Sequence, residues 1–265
     1  MSNTALTTSQ LIQTPHIVAF LDFLGAKEKM ANPRGSDDFL QKINRIYRIA
    51  DKLIGNKKTS KLKVKIFSDN ILAACEIKNL QSRDECFEAF FDIQFFCLNF
   101  QACALLEGLW VRGGVSYGNM FMNEKFAFGD GLIKSYKIES ESAIYPRIVI
   151  DRQIFYKLGL NFQILASVVG NYQSLKRDND GEIYFFPFSR LFEVANSINL
   201  KHALRFIKQD ILTEYQRLDA EKHFKLFPKY YWLASKFNNF CEDIQKEDYK
   251  ILINDNGELV AEDEK

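Results

Sequence analysis

The sequence predicts an α+β fold: helices packed on one face of a mixed sheet, followed by a mainly helical C-terminal extension. Three observations carry that expectation. Strand-length apolar runs alternate with segments of helical period, the pattern changes near residue 160, and two of the apolar runs stop on an aspartate, Asp22 and Asp69. The chain has 265 residues and 47% apolar content, enough for a substantial core. Residues 1–158 read as one domain, and 159–265 as a hairpin with a helical extension.

The run Ile17, Val18, Ala19, Phe20, Leu21 before Asp22 is the first strand. Asp37 to Ile54 places Phe39, Leu40, Ile43, Ile46, Tyr47, Ile49, Ala50 and Leu53 on one helical face behind Ser36, a residue type suited to the N-cap. Gly55 to Thr59 is a polar break. Leu62 to Ile77 forms two β-rich runs joined at Ser68, Asp69 and Asn70, which puts Asp69 at a hairpin tip. Arg83 to Leu106 is a long aromatic helix, and Leu109 to Tyr117 a strand with paired glycines, after which Gly118 permits a reversal into Asn119 to Met122. Asp130 to Ser142 has helical spacing, and Pro146 to Asp151 is a short strand feeding a helix through Tyr156. The DNDG stretch at Asp178 to Gly181 is a hairpin turn signal, Phe188 to Phe240 is mostly helical, and the polar tail from Asn254 is expected to fray.

Composition excludes several classes of function. A net charge of +1 provides no field to draw nucleic acid or an anionic membrane, so any anionic ligand must be caught locally. Lys57, Lys58, Lys61, Lys63 and Lys65 read as a solvated hairpin flank, because the aromatic interleaving of a nucleic-acid groove is missing. His16, His202 and His223 stand apart from one another and from the cysteines. Cys75, Cys86, Cys97, Cys103 and Cys241 show no metal spacing and read as reduced core residues. The N-terminus lacks the pattern of a signal peptide, and no apolar stretch is expected to reach the ~20 residues that span a bilayer. A cytoplasmic protein is the expectation.

The two aspartates carry the chemistry. A carboxylate that ends an apolar strand costs several kcal/mol, roughly, unless something cationic meets it. Neighbouring strands lie about 4.8 Å apart, so two carboxylates at matching heights can share a pair of divalent ions. Asp22 also suits a helix cap and Ser-Asp-Asn is a common turn tripeptide. It is the pairing of the two that points to a site.

Four blocks of residues, in order over about residues 16–152, resemble the class III nucleotidyl cyclase catalytic domain. LDFLG (Leu21 to Gly25) is similar to the family's first metal-binding strand and turn. Lys65 and Asp69 keep the spacing of its K-x-x-G-D hairpin, and Arg112, Gly114, Val115 and Gly118 that of its R-x-G-I-x-x-G strand. FGDGLIKSYKIES, with Phe128, Gly129, Lys137 and Glu139, matches its last signature. Within that fold, the FSDN-like hairpin, the RGG strand and YPRIVID (Tyr145 to Asp151) most resemble the pyrimidine cyclases of the Pycsar antiphage system, and Lys229 to Asn238 extends the likeness.

The resemblance implies a ferredoxin-like, palm-type sheet and a catalyst that converts UTP, or else CTP, to the 3′,5′-cyclic monophosphate and pyrophosphate. It implies two Mg²⁺ or Mn²⁺ ions per site, held by Asp22, Asp69 and the Phe23 carbonyl. Backbone N–H groups from Phe23, Leu24 and Gly25 would cradle phosphates. Lys137 would supply the catalytic cation, with Lys65, Phe126 and Arg112 completing the nucleotide site in a head-to-tail homodimer. Phe126 stands where purine enzymes carry an adenine-selecting acid and cannot accept a hydrogen bond from an amino group. Ile133 stands at the transition-state Asn, whose role is vacant or has moved to Lys134, Lys137 or Arg147. The product would act on a separate effector that this chain does not bind stably. A silent nucleotide-binding and dimerisation module, and a palm-type oligonucleotide synthetase, are the alternatives.

Overall fold

The computed structural model describes residues 11–31, 33–55, 61–167, 173–195 and 199–260, with side chains at 50, 51 and 53–55 excepted. The order is β1 (Thr14–Phe23), α1 (Ala26–Lys29), α2 (Pro33–Gly55), β2 (Leu62–Phe67), β3 (Asn70–Glu76), α3 (Arg83–Leu106) and β4 (Val111–Met122). There follow β5 (Ala127–Gly129), α4 (Asp130–Glu141), β6 (Ile148–Ile150), α5 (Gln153–Lys157), α6 (Phe162–Ser167), β7 (Leu175–Arg177) and β8 (Ile183–Phe185). The chain continues through α7 (Leu191–Ala195), α8 (Leu200–Ala220) and α9 (Phe227–Asp243) to the hairpin of β9 (Leu252–Ile253) and β10 (Leu259–Val260).

The first six major elements form a split β-α-β unit. Strands run in the order β2-β3-β1-β4, each antiparallel to its neighbour, which is the ferredoxin-like arrangement. Then β6 adds parallel to β4, and β8 and β7 extend the same sheet beyond residue 158. The fold is thus α+β with a mixed sheet and a mainly helical C-terminal portion.

Alternation along β1 sends Ile17, Ala19, Leu21 and Phe23 into a core shared with α2 and α3, and Val18 and Phe20 to the other face. Helices on one face describes α2 and α3. On the opposite face α4 crosses β4 and β1. Glycine makes that approach possible: a Cβ on Gly114 would lie 2.2 Å from the Ser135 carbonyl oxygen, and one on Gly118 2.7 Å from the Gly131 backbone. Gly118 therefore serves helix packing inside a continuous β4, where the sequence suggested a reversal.

Other expectations are also adjusted. Helix α2 starts at Pro33, whose fixed φ suits a first helical position, so Ser36 lies within the first turn and does not cap it. Most of the polar break, including Lys57 and Lys58, lies outside the described residues. The tail expected to fray closes a hairpin, with Asn254 Oδ1 accepting the Asn256 and Glu258 N–H groups. In length and composition the 24 residues of α3 are apolar enough to cross a membrane, contrary to the expectation that no stretch reaches that size. In the fold α3 is mostly buried, packed on β1, β3 and α2. All five cysteines are buried and free.

The C-terminal portion has its own core. Leu204, Ile207 and Ile211 of α8 and Leu233, Phe237 and Phe240 of α9 pack with Trp110, Tyr184, Phe186 and Phe188. Trp110 and Tyr184 flank β4 and lie within β8, so this core grows directly off the sheet.

Candidate active site

Asp22 closes the apolar run of β1 one residue before its end, opposite Asn70 of β3 and Arg112 of β4. Asp69 precedes Asn70 in the β2–β3 turn, where Ser68 takes a left-handed conformation (φ 58°) and the Asn70 amide donates to Asp69 Oδ1 at 3.1 Å. Antiparallel register thus brings together two carboxylates 47 residues apart in sequence (69 − 22), and both line one cavity of about 540 Å³. That volume lies within the usual range of ligand sites, roughly 300–1,000 Å³.

Arg112 shares the Asp22 face of the sheet. Its Nε and Nη2 donate to Asp22 Oδ2 at 3.0 and 2.9 Å, and Nη2 lies 2.8 Å from Glu139 Oε1 on α4. The Glu139 contact is off-line for a directed hydrogen bond, which leaves Oε1 of a carboxylate only 4% exposed without a donor. Burial pushes the Asp22 carboxyl above its ordinary value; Arg112 opposes this and the Asp69 charge reinforces it. Glu139 is raised in the same way, first by burial and then by Asp22, against Arg112. This face has more negative charge than Arg112 alone neutralises, and a further cation would lower its energy.

The chain turns out of β1 at Gly25, whose φ of 73° favours glycine, directly into the short helix α1. Phe23, Leu24 and Gly25 line the cavity, but the Leu24 N–H donates to the Trp110 carbonyl at 2.8 Å and so cannot serve a phosphate. Asp22 caps no helix, since Gly25 occupies the N-cap of α1. Lys27 and Lys29 of α1 form part of the wall.

The opposite wall is the C-terminal portion, which sequence reasoning did not connect to the site. Arg217 of α8 and Lys229 and Tyr230 of α9 line the cavity with Asp22 and Asp69. One signal was available: Lys229 is the third residue of α9, in the first turn, where the helix dipole disfavours a cation. A locally unfavourable residue is a pointer to function.

The remaining expected residues lie elsewhere. Lys137 is exposed on α4, 3.8 Å from Glu141. Lys65 is on β2 opposite Leu72, and Phe126 is an exposed ring beside Phe121. All three lie outside the cavity that holds the aspartates. Ile133 is 67% exposed on α4. Arg147 is fully buried and committed to Asp178 and Asp180, so it is not available to a substrate. Lys134 pairs with Asp130.

The donor set fits a hard divalent ion. Asp22 and Asp69 supply carboxylate oxygens, while among the described residues no group of three or more His, Cys, Asp or Glu could hold a metal by itself. Magnesium-type sites commonly take one or two carboxylates and complete their shell with water and substrate phosphate.

No protein-family model and no curated protein matches the chain. Among solved structures it is similar to the guanylyl cyclase Cya2, at 14% identity and a TM-score of 0.40, over 65% of this chain and 91% of that one. It is similar to the monomeric guanylyl cyclase domain of the RhoGC fusion protein from the aquatic fungus Blastocladiella emersonii, at 12% identity and TM-score 0.45, over 65% and 95%. It is also similar to a class III adenylyl cyclase-like ATP-binding protein from Pseudomonas aeruginosa, at 12% identity and TM-score 0.42, over 56% and 35%.

Proposed function

We propose that this protein is a nucleotidyl cyclase that forms a 3′,5′-cyclic pyrimidine monophosphate and pyrophosphate, with UTP preferred over CTP. The observation that carries the proposal is the convergence of Asp22 and Asp69 on one cavity whose walls hold lysines without an ion pair among the described residues. Cyclisation is attack by the ribose 3′-oxygen on the α-phosphorus with departure of pyrophosphate, so the site must hold a polyphosphate against charge repulsion. Two Mg²⁺ or Mn²⁺ ions on Asp22, Asp69 and the Phe23 carbonyl would supply Lewis acidity and neutralise phosphate charge. Arg112 holds the Asp22 carboxylate in place, and Tyr230 and Leu226 add apolar surface to the cavity wall.

A homodimer is part of the proposal. Lys65, Lys137 and Phe126 lie outside the cavity of their own chain, and Phe67, Tyr136, Ile133 and Phe128 are exposed on the β2-to-β4 and α4 side. A second copy seated there would bring the base-reading and cationic residues to the aspartates, while Phe126 disfavours an adenine amino group. By the sequence resemblance to the Pycsar enzymes, the product is a second messenger of antiphage defence, made in the cytoplasm and read by a separate effector.

The test is incubation of the full chain with each nucleoside triphosphate and Mn²⁺, scored by nucleotide chromatography. Cyclic UMP or CMP is expected, with turnover lowered at least ~10²-fold in Asp69→Ala, the scale of losing one electrostatic stabiliser. Exclusive cyclic purine overturns the base preference. Linear products identify an oligonucleotide synthetase, and nucleotide binding without turnover, indifferent to Asp69→Ala, a silent module.

A further inference from the structure

The cavity wall contributed by the C-terminal portion contains a charge that the rest of the fold does not use. Lys229 is half-buried and lines the cavity, yet its side-chain ammonium forms no hydrogen bond and no ion pair within 4.0 Å with any described residue. Its neighbour in the same wall behaves differently: Arg217 is held by Glu214 and Glu221 at 2.9 and 2.6 Å. Across the cavity Lys27 and Lys29 are likewise without an ion pair among the described residues. The five basic and five acidic residues of the lining balance, and with Arg112 committed to Asp22 and Glu139 and Arg217 to Glu214 and Glu221, its three lysines are the cations without an ion pair among the described residues.

An ammonium half removed from water loses hydration and needs a counter-charge. Burial, followed by the nearby Arg112 guanidinium, pulls Lys229 below the ordinary lysine value, while Asp22, Glu28 and Glu139 act on it from a distance in the opposite sense. None of these carboxylates touches it. Among the described residues no carboxylate meets this ammonium within 4.0 Å, and it lines the cavity that Asp22 and Asp69 share.

We propose that Lys229 binds the polyphosphate of the ligand, so that the C-terminal helical portion is one wall of the nucleotide site. This deepens the cyclase proposal and rests on it for the identity of the anion as a nucleoside triphosphate. It assigns to α9 a role that the residues of the ferredoxin-like sheet do not supply: Lys229 draws the phosphate tail towards the extension, while Asp22 and Asp69 face the reacting end.

The experiment measures binding of inorganic tripolyphosphate, UTP and uridine to the full chain by calorimetry, with Mg²⁺ present and again in EDTA, for wild type, Lys229→Met and Lys229→Arg. In Lys229→Met, affinity for tripolyphosphate and UTP is expected to fall about 10- to 100-fold, the scale of one lost charged hydrogen bond, with uridine binding unchanged. Lys229→Arg keeps the charge and is expected to stay within about threefold of wild type. A Lys229 that merely balances Asp22 and Glu139 would alter melting temperature and leave the phosphate-specific loss absent. Tripolyphosphate affinity within twofold of wild type in Lys229→Met overturns the proposal, as does a wild type that binds no tripolyphosphate. Should Lys229→Met fail to fold, Lys229→Gln and the decrease of the salt dependence of binding take its place. Lys229-dependent tripolyphosphate binding in a protein that makes no cyclic nucleotide keeps this assignment and removes the cyclase proposal alone.

Discussion

Two arginines in this molecule each hold two carboxylates, with opposite consequences. Arg147, on the strand-entry side of β6, is fully buried; it pairs with Asp178 at 2.5 Å and with Asp180, while Trp232 and Lys236 donate to Asp178 at 2.6 and 2.8 Å. Burial pushes both aspartates up, but the Lys236 and Trp232 donors at Asp178 and the Arg147 donor at Asp180 outweigh it, and both carboxyls end below their ordinary value. Arg112 serves Asp22 and Glu139 with fewer donors, and both carboxyls end above theirs. The first cluster is a staple joining β6, the β7–β8 turn and α9, in which both carboxylates are well supplied with donors and only Arg147 Nε goes without an acceptor among the described residues. The second is short of cations. The same side-chain types therefore serve as structure where donors suffice and make a candidate ligand site where they do not.

The largest expected effect comes from opening the staple. Asp178→Ala leaves Arg147 with Asp180 alone, takes from Lys236 its carboxylate partner and strands the Trp232 indole N–H. Breaking a buried pair on one side costs about 3–5 kcal/mol. Urea unfolding of the variant should show that loss, and a change below about 1 kcal/mol would sink the distinction between the clusters.

Asp22→Asn should behave oppositely. The charged form of Asp22 is disfavoured in the fold, so an amide of the same shape is expected to leave stability unchanged or raise it by up to about 1 kcal/mol near pH 8, while abolishing turnover. A loss comparable to that of Asp178→Ala would make Asp22 a structural residue and remove the reason for placing a metal beside it.

The contrast also explains what the sequence made legible. Strands, helices and the β7–β8 turn followed from periodicity and turn residues, which are local. Asp22 and Asp69 could be paired because both end apolar runs in a recurring order of motifs. Gly118 was misplaced because a glycine needed for helix-to-sheet contact and one needed for a reversal look the same until α4 is seen against β4. Arg147 appeared as a spare cation because its partners, Asp178 and Asp180, sit in a turn about 30 residues on, where they also satisfy a turn pattern. The α9 wall was illegible for a similar reason: that Lys229 and the β1 terminus line one cavity is a tertiary fact, and its only local trace is a lysine in a first helical turn.

The smallest expected effect, and the finest test of the comparison, is a difference in the sign of pH dependence. Asp178 and Asp180 have depressed values, so their contribution is present above the unfolded value of about 3.9 and is lost as pH falls through the folded value. Asp22 and Glu139 are raised, so their contribution is complete below their unfolded values, about 3.9 and 4.3, and is lost as pH rises through the folded ones. Melting curves should therefore show Asp178→Asn flattening the acid loss of stability below about pH 4, and Asp22→Asn flattening a milder loss above it. On the proposed cyclase role turnover needs Asp22 ionised, so activity is expected to rise with pH as the stability contributed by this residue falls. Glu139→Gln separates the two carboxylates: if the stability loss above pH 4 persists in Asp22→Asn and vanishes in Glu139→Gln, the raised group that governs it is Glu139, and the charge deficit belongs to α4 and not to the end of β1.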